Sequence, residues 1–399
     1  TPSYTVTARA FKPGTTLFPS TVVSRQFILL DSTTRDFTSR LPILVISTGG
    51  GAIPESVLPG QPRRKGSFFV CDTINGQAKF TLPRDFQGLA EFEIFGQTSA
   101  GFPKKPYNIE IQDELGNDMD ASLLGMPADA DWKLRNPYTD KCMMNDFLAY
   151  ELFEQMGRYS CRRRFVEVFV DTSGGKLSYP ADYSGILVLL EKIEQGADRV
   201  NIARLFSTQT NEPAISGGYM FKKDKDSAGD LAFYTSGGAG FSGQTLKLHE
   251  PKPRDVNNNA NHPQVVWLRN YLNQMEKAMY SSTWLTQTGT NHYSHYLDVD
   301  SFVDQHWIVE FPKQIDGYRL SDFFNKDRGG KVKPEPIWDW NLSFGNADYL
   351  DGGHYSGWYY NQCDENAHIW QRRLINGTTA ASGVGDPNYC QKIADRWGE

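Results

Sequence analysis

Apolar residues fall at every second position through Tyr4–Phe11 and again through Val22–Leu29, with Lys12, Pro13 and Gly14 between them. That period predicts two strands joined by a turn. Further strands are expected at Pro42–Ser47, Gly76–Leu82, Ala90–Phe95 and Tyr107–Gln112, where Val, Ile and Phe are dense and Gly or Pro stands between runs. Thr48–Pro54 and the basic Pro62–Lys65 read as a loop and a turn. The period then changes. Met144–Met156 reads as a helix closed by Gly157, with Phe147, Leu148, Leu152 and Met156 as its apolar face. Strands Arg164–Val170 and Ser184–Leu190 follow, then helices at Gln264–Tyr280 and Asp300–Glu310, the latter with an aspartate N-cap. Strands, one helix, strands and a mostly helical remainder predict an α+β chain in two lobes.

Composition narrows the class. At 399 residues the chain has room for two or three domains, taking ~150 residues for each. A net charge of −6, with no basic run longer than Arg162–Arg164, argues against nucleic acid as a partner. No apolar run approaches the ~20 residues of a membrane span, and Gly185–Leu190 is the densest. Cys71, Cys142, Cys161, Cys363 and Cys390 form no CxxC pair, and an odd count leaves at least one thiol unpaired. Free, buried thiols are expected, with a Cys142–Cys161 bridge as the alternative. The start at Thr1 and the helical Ala394–Glu399 at the other end imply that both ends are cut from a longer protein.

The densest candidate chemistry lies at Trp338–Gly345. Asp339 and Asn341 stand two residues apart before a Ser343-Phe344-Gly345 turn, and Asp316 precedes Gly317 a short way upstream. Two hard oxygen ligands at that spacing could hold a divalent cation on a phosphate while Asp316 orients an acceptor hydroxyl. The plainer reading is a turn in which Asp caps backbone amides. Trp338, Trp340, Tyr355, Trp358, Tyr359 and Tyr360 crowd the same stretch, either as packing or as a stacking platform for adenine or a sugar ring. Asp298–Asp304 lacks the glycine and terminal glutamate of a calcium loop, and His292 with His295 has no third zinc ligand nearby. No GxSxG, HExxH or Walker lysine loop occurs.

Six motifs in fixed order give the chain a resemblance to the CotH family of spore-coat and secreted kinase-like proteins. They are Phe95–Tyr107, Ala130–Leu134 leading into Asn145–Leu152, Tyr183–Glu191, Asp298–Asp304, Ile315–Arg319 and Trp338–Asn341. The resemblance runs from about Leu41 to the C-terminus. Residues 1–30 resemble the closing hairpin of the small immunoglobulin-like domain that ends chitobiases. The implied organisation is that tail, then a CotH kinase-like domain over 31–399, strand-rich to about 195 and helical from about 196. The implied fold is a two-lobed atypical protein kinase, and the implied activity is phosphoryl transfer from Mg²⁺-ATP to a hydroxyl of a secreted protein. An extracellular or cell-surface bacterial multidomain parent is implied with it.

Carried over by position, Asp316 is the catalytic aspartate, Asp339 the metal-binding aspartate and Asn341 its companion ligand. Lys105 is expected to meet phosphates, with Lys104 on the opposite side. Gly96 would let the Gln97–Ala100 loop approach phosphate, Glu191 would orient Lys105, and Trp338 would stack on the base. Departures matter: Phe95 and Met144 stand where many members carry arginine, Ser321 stands where a kinase catalytic loop has asparagine, and Asn341 often is a second Asp. The alternative is therefore an inactive kinase-like scaffold for adhesion, coat assembly or carbohydrate contact.

Overall fold

Ile43–Ser47 is buried on both faces, and this explains its unbroken apolar run. Leu44 and Ile46 point into one core with Ile109, Ile111, Trp132, Leu134 and Leu189, while Ile43 and Val45 enter a second with Phe69, Phe80 and Phe169. The computed structural model describes residues 3–14, 18–56, 62–362, 369–378 and 383–399. They fall into two units, Thr1–Tyr138 with Arg162–Lys192, and Thr139–Cys161 with Ile193–Glu399.

The first unit is built on a closed seven-stranded barrel. Around it run Arg163–Asp171, Tyr183–Glu191, Asp131–Arg135, Tyr107–Gln112, Phe86–Ile94, Arg64–Cys71 and Ile43–Ser47. Neighbours are antiparallel except at the closure, where Glu167 pairs with Ile43 in a parallel ladder. Closure leaves no open edge among these strands. The expected turn Pro62–Lys65 is corrected, because Arg64 and Lys65 already belong to a strand that continues through Cys71. Gly76–Leu82 contributes only the short strand Ala78–Lys79, paired with Thr38–Ser39, before the chain turns toward Pro83. The hairpin Tyr4–Ala8 with Val23–Phe27 forms, and Ser3 donates its amide to the carbonyl of Gly174.

In the second unit, the helix Asn145–Gln155 forms where its period predicted, but with a different face inward. Ala149, Tyr150 and Phe153 are buried together with the polar Asn145 and Asp146, and Leu148 is exposed. Hydropathy assigns Asn and Asp to solvent, whereas here both bond to backbone. Helix Pro263–Tyr280 matches its expectation, and Val299–Glu310 is capped by Asp298, whose carboxylate accepts the Ser301 N–H at 2.9 Å. The remainder expected to be mostly helical also holds a five-stranded antiparallel sheet. Its order is Leu231–Tyr234, Thr245–Glu250, Tyr219–Lys223, Asp322–Lys326 and Val332–Lys333. Lysines masked its alternation: Lys247 is buried because its ammonium meets the Asp224 carbonyl and the carboxylates of Asp226 and Asp230. Tyr219, Phe221, Leu246, Leu248 and Phe324 of this sheet pack on Val265, Leu268, Leu272 and Met275 of the long helix.

Cys71, Cys142, Cys161 and Cys390 are free thiols, so the Cys142–Cys161 bridge does not form. Cys71 and Cys161 are buried as expected, Cys142 is exposed, and Cys363 lies outside the described residues.

Candidate functional site

The helix Val299–Glu310 delivers the chain into a tight loop that carries Asp316. Gly317 follows Asp316 because a Cβ there would lie 2.5 Å from Cγ1 of Val309. The Asp316 carboxylate accepts a hydrogen bond from Arg319 at 2.8 Å, and its carbonyl accepts the amides of Arg319 and Leu320. Burial pushes the Asp316 carboxyl above its usual range; Arg319 opposes this, the charge of Asp339 adds to it, and Lys225 opposes it. Asp316 and Asp339 therefore lie close enough for their charges to interact. Lys225 was not expected. It sits outside every motif, after the strand Tyr219–Lys223, and only folding reveals its neighbours.

Asp339 adopts a left-handed backbone, φ 73°, as do Lys313, Tyr318, Ser321 and Phe344 nearby. Left-handed non-glycine residues are costly and persist where their surroundings fix them. Here the fixing bonds are explicit. Gln314 donates its side-chain amide to the Asp339 carbonyl at 2.6 Å, and the Asp339 N–H donates to the Tyr150 hydroxyl at 3.2 Å. The Trp340 N–H donates to Asp146 at 2.7 Å, while Asn145 donates to the carbonyls of Asn341 and Ser343. Asn341 donates through Nδ2 to Thr139 at 3.1 Å, and Oδ1 is the atom of its amide that an ion would use. Trp340 is buried with its indole N–H on the Ile308 carbonyl, while Trp338 is half-buried before the loop. Tyr359 is buried too, so the aromatic cluster divides: Trp340 and Tyr359 pack inside, and Trp358 and Tyr355 are exposed.

The residues expected to bind phosphate belong to the first unit. Gly96 has φ 93°, a backbone that side chains rarely adopt, and a Cβ on it would lie 2.1 Å from Ser99 Oγ, so the turn favours glycine. Lys105 donates its ammonium to the Ala100 carbonyl of the same loop at 2.5 Å. Lys104 lies elsewhere, with Cε and Nζ 3.4 Å from where a Cβ on Gly185 would stand. The two lysines thus take different neighbours. Glu191 is wholly buried and accepts from the Arg162 amide at 2.9 Å and its guanidinium at 2.7 Å. Its role beside Lys105 gains no support from those bonds.

A cation that sequence reasoning missed stands next to this loop. Lys133, on the strand Asp131–Arg135, places its ammonium 4.2 Å from the Phe95 ring centroid and donates to Asn108 at 2.6 Å. Burial, and then the charge of Lys192, lower its pKa to about 7. The available signal was strand alternation: with Trp132 and Leu134 in the core, Lys133 faces the other side.

A family model described as CotH kinase protein matches residues 92–397. The chain belongs to the CotH kinase family. No curated protein matches it. The matched span contains all the candidate residues named above, from Gly96 to Asn341.

Proposed function

We propose that this CotH-family chain is an extracellular or cell-surface phosphotransferase with the two-lobed kinase-like organisation, using Mg²⁺-ATP and a hydroxyl of a secreted protein. The observation that carries this reading is the pairing of a half-buried Asp316 with Asp339 on two loops pinned by Gln314. A carboxylate with a neighbouring amide oxygen suits Mg²⁺, which takes one or two protein ligands and completes its shell with water and phosphate oxygens. Asp339 and Asn341 would hold it. When bound, the ion supplies charge neutralisation on the phosphates.

The chain's own residues account for the rest. Asp316 orients the acceptor hydroxyl and takes its proton, a role favoured by a carboxyl whose pKa burial has raised. The hydroxyl oxygen bonds to the γ-phosphorus as the bond to the β-phosphate oxygen breaks, and ADP leaves. In the first unit, Lys105 and Lys104 are the residues that family position assigns to phosphate, with Gly96 letting the loop backbone approach it; in the second, Trp338 is assigned to the base.

The second reading is a kinase-like scaffold without turnover, for adhesion or coat assembly. Asn341 favours it, since a neutral ligand binds Mg²⁺ less well than a second carboxylate. The thermal midpoint with and without Mg²⁺-ATP separates the two. A ligand at about 100 times its dissociation constant adds about 2.7 kcal/mol to the native state. A rise that disappears in Asp339→Ala supports the first reading; no rise in either protein favours the second.

A further inference from the structure

The turn at 348–352 lies against the loop that carries Asp316. A Cβ on Gly352 would stand 2.8 Å from Cγ2 of Ile315, so the backbone of the turn packs directly on the residue before Asp316. Lys313 donates its ammonium to Asp351 at 3.1 Å, and Gly352 donates its amide to the Tyr349 carbonyl at 3.0 Å. These contacts bring Tyr349 to the Arg319 guanidinium, which hydrogen-bonds the Tyr349 hydroxyl and, at 2.8 Å, the Asp316 carboxylate. A planar guanidinium presents its donors in a fixed fork, so Arg319 holds a phenol oxygen and a carboxylate side by side.

The other hydroxyls near this loop are differently placed. Tyr318 is buried with its hydroxyl on Glu310, and the Ser343 hydroxyl is buried on the Trp340 carbonyl. Tyr349 is 45% exposed, and the charge of Asp316 reaches it. Burial, and then that charge, raise the Tyr349 pKa above its ordinary range. Near neutral pH its hydroxyl therefore keeps its proton and becomes a nucleophile only when a base takes it. Arg319 also suits the product. A phosphotyrosine carries a charge of about −1.5 to −2 and accepts charge-assisted bonds from a guanidinium. Lys225, whose charge also acts on Asp316, is a second cation at this loop.

We propose that Tyr349 is itself an acceptor, phosphorylated by the chain that carries it. The inference rests on the phosphotransferase reading and names one substrate hydroxyl for it. The Tyr349 oxygen bonds to the γ-phosphorus of Mg²⁺-ATP as the bond to the β-phosphate oxygen breaks. The phenol proton passes to Asp316, and ADP leaves.

Two measurements on the whole chain test this: the thermal midpoint with and without Mg²⁺-ATP, and peptide mapping by mass spectrometry after incubation with it. The peptide holding Tyr349 should gain a phosphate, at a rate per chain that does not change on dilution. Tyr349→Phe, a conservative change at a half-exposed side chain, should lose that phosphate and keep the thermal rise. Asp316→Asn should also keep the rise, with modification slowed about 10²-fold or more. A thermal rise without phosphate on Tyr349 overturns the proposal and leaves the phosphotransferase reading standing. Phosphate on Ser321 or elsewhere instead, undiminished modification in Asp316→Asn, or a rate that falls with dilution overturns it in the same way. No thermal rise and no phosphate overturns both.

Discussion

Burial raises the pKa of the Asp316 carboxyl, and the charge of Asp339 adds to that rise across 23 residues of sequence, between two loops joined by the Gln314 side chain. Two carboxylates so placed repel one another, and a divalent ion on Asp339 would relieve that repulsion. The pairing makes the two side chains separable by experiment, since one is assigned to the proton and the other to the ion.

Asp316→Asn should lower phosphate transfer to an acceptor protein by about 10²–10⁴-fold, the usual contribution of a positioned acid–base group. The stabilisation of the thermal midpoint by Mg²⁺-ATP should survive. Retained transfer in this variant, measured with labelled ATP, would remove Asp316 from the role assigned to it.

Asn145 holds the Asp339 loop by donating to Asn341 and Ser343, at 3.2 and 2.9 Å. Asn145→Ala leaves carbonyls without that donor and should cost about 1–3 kcal/mol. Urea unfolding measures the loss. The Mg²⁺-ATP response should weaken with it, because the ligand loop loses a tether.

His306 and Glu310 lie one helical turn apart, and burial moves them in opposite directions, to about 3 and about 7. The unfolded chain holds the extra proton on His306 between about pH 3 and 6.5, so this group makes stability rise with pH there. The native state holds the extra proton on Glu310 between 4.5 and about 7, so this group makes stability fall with pH. Between 4.5 and 6.5 the two slopes cancel. Glu310→Gln removes the falling term and should reveal a rise of about 1.4 kcal/mol per pH unit. Unfolding free energies at about pH 5 and about pH 6 decide it: their difference should grow in the variant relative to the unmodified chain.

Cys142 is exposed, whereas burial covers Cys71 and Cys161 and pushes the Cys71 thiol above its ordinary range. Brief alkylation of the native chain, followed by peptide mapping, should mark Cys142 and leave those two unmodified until denaturant is added.

Much of this was legible in the sequence because local rules agree with the fold. Ile43–Ser47, Tyr107–Gln112 and Pro263–Tyr280 combine clear period with clear punctuation. The five-stranded sheet was not, because its short strands carry lysines at inward positions that only distant partners satisfy, as Asp226 and Asp230 do for Lys247. The inner face of Asn145–Gln155 was misread for a related reason: Asn145 and Asp146 are buried by bonds to a loop almost 200 residues later. Asp316, Asp339 and Asn341 were assigned from motif order alone. Lys225 lies outside every motif and meets Asp316 only through folding, whereas Lys133 stands within Ala130–Leu134 but its contact with the Phe95 ring is remote in sequence.

The bond between Asp146 and the amide of Trp340 spans 194 residues, and it also sets a schedule for synthesis. All seven barrel strands have been made once Glu191 has left the ribosome, but the helix Asn145–Gln155 then still lacks the loop that covers its polar side. At roughly 5–20 residues per second, the helix then waits about 7–30 s more for its partner. During this interval Asp146 and Asn145 face water or a chaperone, and the nascent chain carries every barrel strand before the loop that holds Asp339 exists.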